Sequence, residues 1–151
     1  MDIISQKIAK KSDKNPIECS CNTCRQMCKN APCLGTPQDI LRLCEAGYSE
    51  KIMPTLWGAG LVLGFIDFTI DMYQQIEVKN HGCIFLKDGL CELHDKGLKP
   101  TDGVLSNCKS SQYFENSTSW LVAKEWIEPK NRFIISQIKR YIEANVKTIE
   151  L

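Results

Sequence analysis

The pattern of apolar and polar residues first predicts a helix after residue 36. Thr36 suits the N-cap, Pro37 suits the first helical position, and Asp39 completes a capping box. The apolar residues that follow are spaced for one buried face: Ile40, Leu41, Leu43 and Cys44. Gly47 can end this helix in the left-handed conformation. Because Cys44 lies on the apolar stripe, we interpret it as a small core residue rather than a ligand.

Residues 66–72 alternate strictly between apolar and polar side chains. A period of two predicts a strand with one face toward the core. Three glycines precede this strand, at Gly58, Gly60 and Gly64. Their spacing matches neither a Walker loop nor a dinucleotide-binding fingerprint, so they indicate turns or bulges.

A tight turn is predicted at residues 87–89, between short apolar pieces at 84–86 and 90–93. Such a hairpin would bring Cys83 and Cys91 close together. A turn that mounts paired ligands is a common way to build a metal knuckle, because it fixes the thiolates in place.

The last third of the chain predicts two helices. Residues 117–119 offer N-caps for the first, and Pro129 can begin the second. Apolar and aromatic residues recur along both at core spacing: Trp120, Ala123, Trp126, Ile127, Phe133, Ile134, Ile138, Tyr141 and Ile142. We interpret the aromatic side chains as packing partners of the cysteine-bearing half.

Together these elements predict a small α+β fold, mostly helical, with short strands and a hairpin. The chain has 151 residues, of which 43% are hydrophobic and 25% charged, as expected for a single globular domain. Residues 1–18 form a basic segment expected to be solvated and partly frayed. Residues 19–151 form the domain, with motifs in 19–110 and helices in 111–151.

The formal net charge of +1 gives no general reason to expect binding to nucleic acid or an anionic membrane. Lysine and arginine are also sparse near the cysteines, which disfavours a nucleic-acid partner. Residues 1–8 lack the apolar core of a secretory signal, and the apolar run at 59–70 is too short to span a membrane. We therefore expect a cytoplasmic protein with no membrane partner.

Nine cysteines are many for a cytoplasmic chain of this length. In a reducing compartment such a pattern favours metal binding over disulfides or a thiol redox centre, and the odd count fits a disulfide framework poorly. A C-x2-C-x3-C cluster is followed much later by a C-x7-C-x2-H group. The candidate metal ligands are Cys21, Cys24, Cys28, Cys33, Cys83, Cys91, His94 and Cys108.

Thiolates are soft ligands, and sets of four suit zinc or an iron–sulfur cluster. Eight groups could make two sites or one site with spare thiols, and Cys19 is the expected spare. The order of the cysteine spacings differs from those of radical-SAM enzymes and bacterial ferredoxins. No βαβ pattern accompanies the C-x2-C pair, which argues against a thioredoxin-like centre.

The cysteine cluster, its following Pro-Cys and Gly-Thr-Pro steps, and the segment around the second group resemble the YkgJ-like cysteine-cluster proteins. The matching residues are Cys21, Cys24, Cys28, Pro32, Cys33, 35–37, 83, 85–86, 88–94 and 97–100. The resemblance covers about residues 19–110 and implies a domain that chelates zinc or iron. The usual family pattern has two adjacent cysteines, and here Met27 stands at the first of them.

Three functions follow from this pattern as hypotheses. The leading one is a metal-binding module in which the N-terminal cluster and the later cysteines share a metal ion. A second is an iron–sulfur redox protein or enzyme, although the acidic residues form no recognisable acid–base pair in sequence. A third is a zinc-stabilised adaptor that binds a partner protein. The sequence leaves open whether the protein is an enzyme.

Overall fold

The computed structural model describes residues 2–14, 32–55, 63, 72–105 and 117–150. The helices in this part of the chain are α1 (Ile3–Ser12), α2 (Pro37–Leu43), α3 (Thr101–Leu105), α4 (Thr118–Glu125) and α5 (Arg132–Glu150). Shorter helical turns occur at Cys44–Tyr48, Ser49–Lys51, His94–Lys96 and Pro129–Asn131. In the described residues, no helix is both long and apolar enough to cross a membrane.

In the described residues, three short antiparallel strand pairs accompany the helices, which confirms a mixed α+β architecture. The strands are β1 (Ile52–Pro54), β2 (Tyr73–Gln75), β3 (Glu77–Val78), β4 (Gly82–Cys83), β5 (Leu86–Lys87) and β6 (Leu90–Cys91). They pair in the order β1 with β2, β3 with β4, and β5 with β6. The strand predicted over residues 66–72 lies outside the described residues except for Met72, which directly precedes β2.

Helix α2 begins as its sequence predicts. The Thr36 side chain accepts a hydrogen bond from the Asp39 amide at 3.1 Å, and the Asp39 carboxylate accepts one from the Thr36 amide at 2.9 Å. The helix continues through one wider turn to Gly47, which has φ 94°. Cys44 is buried at 2% exposure, so its assignment to the core is confirmed.

The core is formed by side chains from helices and strands together. Fully buried members include Ile40, Leu43, Phe85, Leu93, Val122 and Ile138. Helix α1 contributes Ile8 and Ala9 to the same cluster, and Asp2 caps it by accepting from the Ser5 amide. Residues 3–12 of the basic N-terminal segment therefore form a helix that packs against the core.

The hairpin predicted around residues 87–89 is present. Asp88 and Gly89 have φ values of 52° and 79°, the pattern of a two-residue turn that matches strand twist. Cys91 pairs with Leu86 in this hairpin, whereas Cys83 pairs with Glu77 in the preceding one. Cys83 and Cys91 therefore lie on two successive hairpins and not across the single predicted one, because the chain turns twice between residues 77 and 91. That the two cysteines lie close together stays a prediction.

The first C-terminal helix begins at a predicted cap, and the second begins at Arg132, three residues after the predicted Pro129. Ser117 caps α4 by accepting from the Trp120 amide, and Pro129 opens the turn that leads into α5. Ile138 is fully buried, but Phe133 is 68% exposed and Tyr141 is 38% exposed. The prediction that Phe133 and Tyr141 are core residues is therefore wrong.

Candidate metal centre

Four of the eight candidate ligands lie outside the described residues: Cys21, Cys24, Cys28 and Cys108. Of the other four, Cys83 is buried, Cys33 and Cys91 are half-buried, and His94 is exposed. Within the described ranges, no three His, Cys, Asp or Glu side chains are placed together so as to hold a metal ion. The structure therefore describes the surroundings of part of the candidate site.

Cys33 lies where three separate parts of the chain meet. The Gln75 side-chain amide, on β2, donates a hydrogen bond to the Cys33 sulfur at 3.5 Å. Helix α3 approaches from another direction, and a Cβ atom added at Gly103 would lie 2.6 Å from the same sulfur. Since no side chain could occupy that space, a glycine at position 103 is what allows α3 to pass so close to the thiol.

A buried carboxylate fixes the segment that follows Cys33. Asp39 is 2% exposed, and one of its oxygens accepts from the Thr36 amide, the Thr101 amide at 2.8 Å and the Thr101 hydroxyl at 2.6 Å. Its other oxygen pairs with Arg42. This Asp39–Thr101 corner joins the start of α2 to the start of α3 across 62 residues of sequence.

The corner also receives helix α1. The Ser5 and Thr101 hydroxyl oxygens are 2.6 Å apart. Because the Thr101 hydroxyl donates its hydrogen bond to Asp39, Ser5 is the donor in this pair. Arg42 makes a second ion pair with Asp2 at 2.9 Å. The first turn of α1 is therefore attached to the corner at Asp2, through Arg42, and at Ser5, through Thr101.

Two further hydrogen bonds hold the backbone between Cys33 and Thr36. The Asp102 amide donates to the Leu34 carbonyl at 3.1 Å, and the Trp126 indole N–H donates to the Gly35 carbonyl at 2.8 Å. Trp126 is 3% exposed. The C-terminal third thus packs on the cysteine-bearing half through this tryptophan, as its aromatic pattern predicted.

Strand β2 carries two consecutive glutamines, Gln74 and Gln75, and each is only 1% exposed. Neither amide atom of Gln74 has a hydrogen-bond partner in the described structure, nor does the amide oxygen of Gln75. A buried polar atom without a partner costs about 1–3 kcal/mol. Sequence reasoning missed both residues, although adjacent glutamines after an apolar run are unusual for a strand buried on both faces.

A cluster of charges surrounds the second hairpin. Glu92 is 3.3 Å from the Lys87 ammonium, 3.7 Å from that of Lys96 and 4.0 Å from that of Lys51. Its pKa is lowered, first by the hydrogen bond from Lys87 and then by the nearby positive charges. Glu92 is thus held as a carboxylate among lysines, which is not the setting of a general acid.

Cys44 differs chemically from a ligand thiol. Burial, followed by the charge of Glu45, raises its pKa from 9.0 to about 11. Because metals bind the thiolate, a site that disfavours ionisation of the thiol is a poor ligand position.

The chain was compared with protein-family models, curated proteins and solved structures, and none of them matches it.

Proposed function

We propose that the protein binds zinc, iron or an iron–sulfur cluster through its clustered cysteines. The observation that carries this proposal is the position of Cys33. Cys33 is the last cysteine of the N-terminal cluster, and it contacts β2 through Gln75 and α3 at Gly103. Along the sequence, β2 precedes the strands that carry Cys83 and Cys91, and α3 precedes Cys108, so the later candidate ligands follow elements that contact Cys33.

The residues around Cys33 fit a thiolate that binds a metal. An amide N–H points at the sulfur, and such donors stabilise the negative charge of a thiolate. The Asp39–Thr101 corner holds the backbone that follows Cys33 and the start of α3 without using any cysteine. The soft donor set and its resemblance to the YkgJ-like proteins favour zinc or iron over calcium or magnesium.

A bound metal would supply a cross-link between segments that are distant in sequence. Each thiol that binds has to lose its proton, so metal affinity is expected to rise with pH over the range in which these thiols ionise. In small domains the binding energy of structural zinc, about 10 kcal/mol or more, becomes folding energy.

Elemental analysis and an absorbance spectrum of the anaerobically purified full chain test the proposal. Zinc or iron in stoichiometric amount, with a brown colour if an iron–sulfur cluster is present, would support it. The Cys33→Ser variant should lose affinity for the metal, whereas Cys44→Ala removes a thiol outside the site and should keep it. A chain that contains no metal and takes up none from added zinc or iron would overturn the proposal.

A further inference from the structure

We propose that Gln75 is a positioning residue for the metal centre, because its side-chain amide donates a hydrogen bond to the Cys33 sulfur and fixes the direction of that ligand. This inference rests on the proposed function, since it needs Cys33 to bind metal. It adds a residue that neither the cysteine pattern nor the family resemblance contains.

The backbone of Gln75 is fixed independently of Cys33. Gln75 pairs with Ile52 across the β1–β2 ladder, and the next amide, that of Ile76, donates to the Lys51 carbonyl at 2.9 Å. Its side chain therefore starts from a rigid strand and ends 3.5 Å from the sulfur. A donor held in this way can orient a ligand rather than follow it.

The Gln75 side chain is 1% exposed, and its amide nitrogen faces the Cys33 sulfur. A neutral thiol is a weak hydrogen-bond acceptor. A metal-bound thiolate accepts a charge-assisted hydrogen bond about twice as strong, so a bound metal would strengthen this contact.

Gln74 provides a matched control in the same strand. It is as deeply buried as Gln75, at 1% exposure, and its amide atoms also have no partner in the described part of the chain. Because successive side chains of a strand point to opposite faces, Gln74 points away from the side that Gln75 shares with Cys33. Methionine has nearly the shape of glutamine and donates no N–H, so the same substitution can be made at both positions.

The experiment compares Gln75→Met with Gln74→Met in the full chain. Zinc affinity is measured by competition with a chromophoric chelator, and Co²⁺ replaces zinc to give a sulfur-to-metal charge-transfer band. We expect Gln75→Met to weaken zinc binding by about 10-fold, the lower end of effects for groups that orient metal ligands. The band should move to longer wavelength, because a sulfur without its N–H donor gives up electrons more readily. Gln74→Met should change neither quantity.

The outcomes separate this inference from the function on which it rests. If the wild-type chain binds zinc and Gln75→Met matches it in affinity and cobalt spectrum, the role of Gln75 is wrong while metal binding stands. If both variants weaken binding equally, the effect belongs to the strand and the role of Gln75 is again wrong. If the wild-type chain takes up neither zinc nor cobalt, the proposed function fails and this inference with it.

A measurement on the unaltered chain decides the matter if Gln75→Met does not fold. In ¹⁵N-labelled protein loaded with ¹¹³Cd, a hydrogen bond from the Gln75 side-chain amide to a metal-bound sulfur would give a scalar coupling between that amide proton and cadmium. Observation of the coupling supports the inference. Cadmium bound with no coupling at that amide overturns it.

Discussion

The Asp39–Thr101 corner and the Gln74–Gln75 strand both bury polar side chains, and they do so in opposite ways. In the corner, a single carboxylate accepts from two backbone amides and a hydroxyl and also pairs with Arg42. In the strand, three amide atoms of two buried glutamines have no partner among the described residues. Gln75, in the strand, contacts the Cys33 sulfur, and Thr36, in the corner, lies three residues after Cys33 in the chain.

This difference distinguishes a hydrogen-bonded buried network from buried polar atoms that have no partner among the described residues. Buried polar groups in native proteins are nearly always hydrogen-bonded, and a fully satisfied network is sufficient in itself to hold a fold together. A region that leaves buried donors or acceptors unpaired requires a further explanation, such as a bound group. The corner therefore fixes the backbone that follows Cys33, whereas the unpaired atoms of the strand lie on two opposite faces, of which only that of Gln75 is turned toward Cys33.

The largest effect is expected at the corner. Asp39→Ala leaves three buried donors without an acceptor and Arg42 without one of its partners. We expect the free energy of unfolding to fall by about 3–5 kcal/mol in urea titrations followed by tryptophan fluorescence. Glu143→Ala, at an exposed position of α5, should change it by less than about 0.5 kcal/mol. A loss below about 1 kcal/mol for Asp39→Ala would show that the corner does not hold the fold.

A smaller effect is expected where the corner and the strand meet. Gly103→Ala forces a Cβ against the Cys33 sulfur, and overpacking of this kind costs about 1–3 kcal/mol. It should also weaken zinc binding, because the sulfur has to move. Gly47→Ala is the control, since its φ of 94° strains alanine by about 1–2 kcal/mol in open space. Equal zinc affinity in the Gly103→Ala and Gly47→Ala variants would show that the contact between Gly103 and Cys33 does not affect zinc binding.

The strand should respond in the opposite direction to the corner. Gln74→Met removes two buried amide atoms that have no partner among the described residues, and it keeps the side-chain volume. We expect the free energy of unfolding to rise by about 1 kcal/mol, measured by urea titration of the metal-free chain. A decrease of the same size would show that the Gln74 amide has an unrecognised partner, and the contrast with the corner would then be lost.

The smallest effect concerns Cys44, a buried thiol outside both regions. Its pKa of about 11, raised chiefly by burial, means that the folded chain keeps the proton after the unfolded chain has lost it. Its contribution to stability is therefore complete below pH 9 and declines as the pH rises toward 11. Cys44→Ala should make this decline shallower in urea titrations across that range. Glu45→Gln, which removes the lesser cause, should leave most of the decline in place.

Features set by neighbouring residues could be predicted from the sequence. The Thr36–Asp39 capping box, the Asp88–Gly89 turn and the Ser117 cap each depend on residues within three positions of one another. The helical period also identified Ile138 as buried. It failed at Phe133, which lies one position before Ile134 and is therefore rotated by about 100° from the buried stripe of α5.

The contacts that define the candidate site could not be predicted in this way. The Gln75 amide and the Cys33 sulfur are 42 residues apart, and helix α3 reaches that sulfur only because position 103 has no side chain. Each of these contacts depends on how separate elements pack. The cysteine spacing indicated a metal ligand set, but it contained no signal for the groups that surround the ligands.

The separation between Asp39 and Thr101 has a consequence for how the chain matures. Translation adds ~5–20 residues per second, so the 62 residues between these partners take roughly 3–12 s to synthesise. During that interval Asp39 cannot accept hydrogen bonds from Thr101, and Gly103 has not yet been synthesised to pack against Cys33. Closure of the corner is therefore a late step of biosynthesis. A metal that needs this geometry can therefore be bound stably only after residues 83–103, which include the C-x7-C-x2-H group and Gly103, have been synthesised.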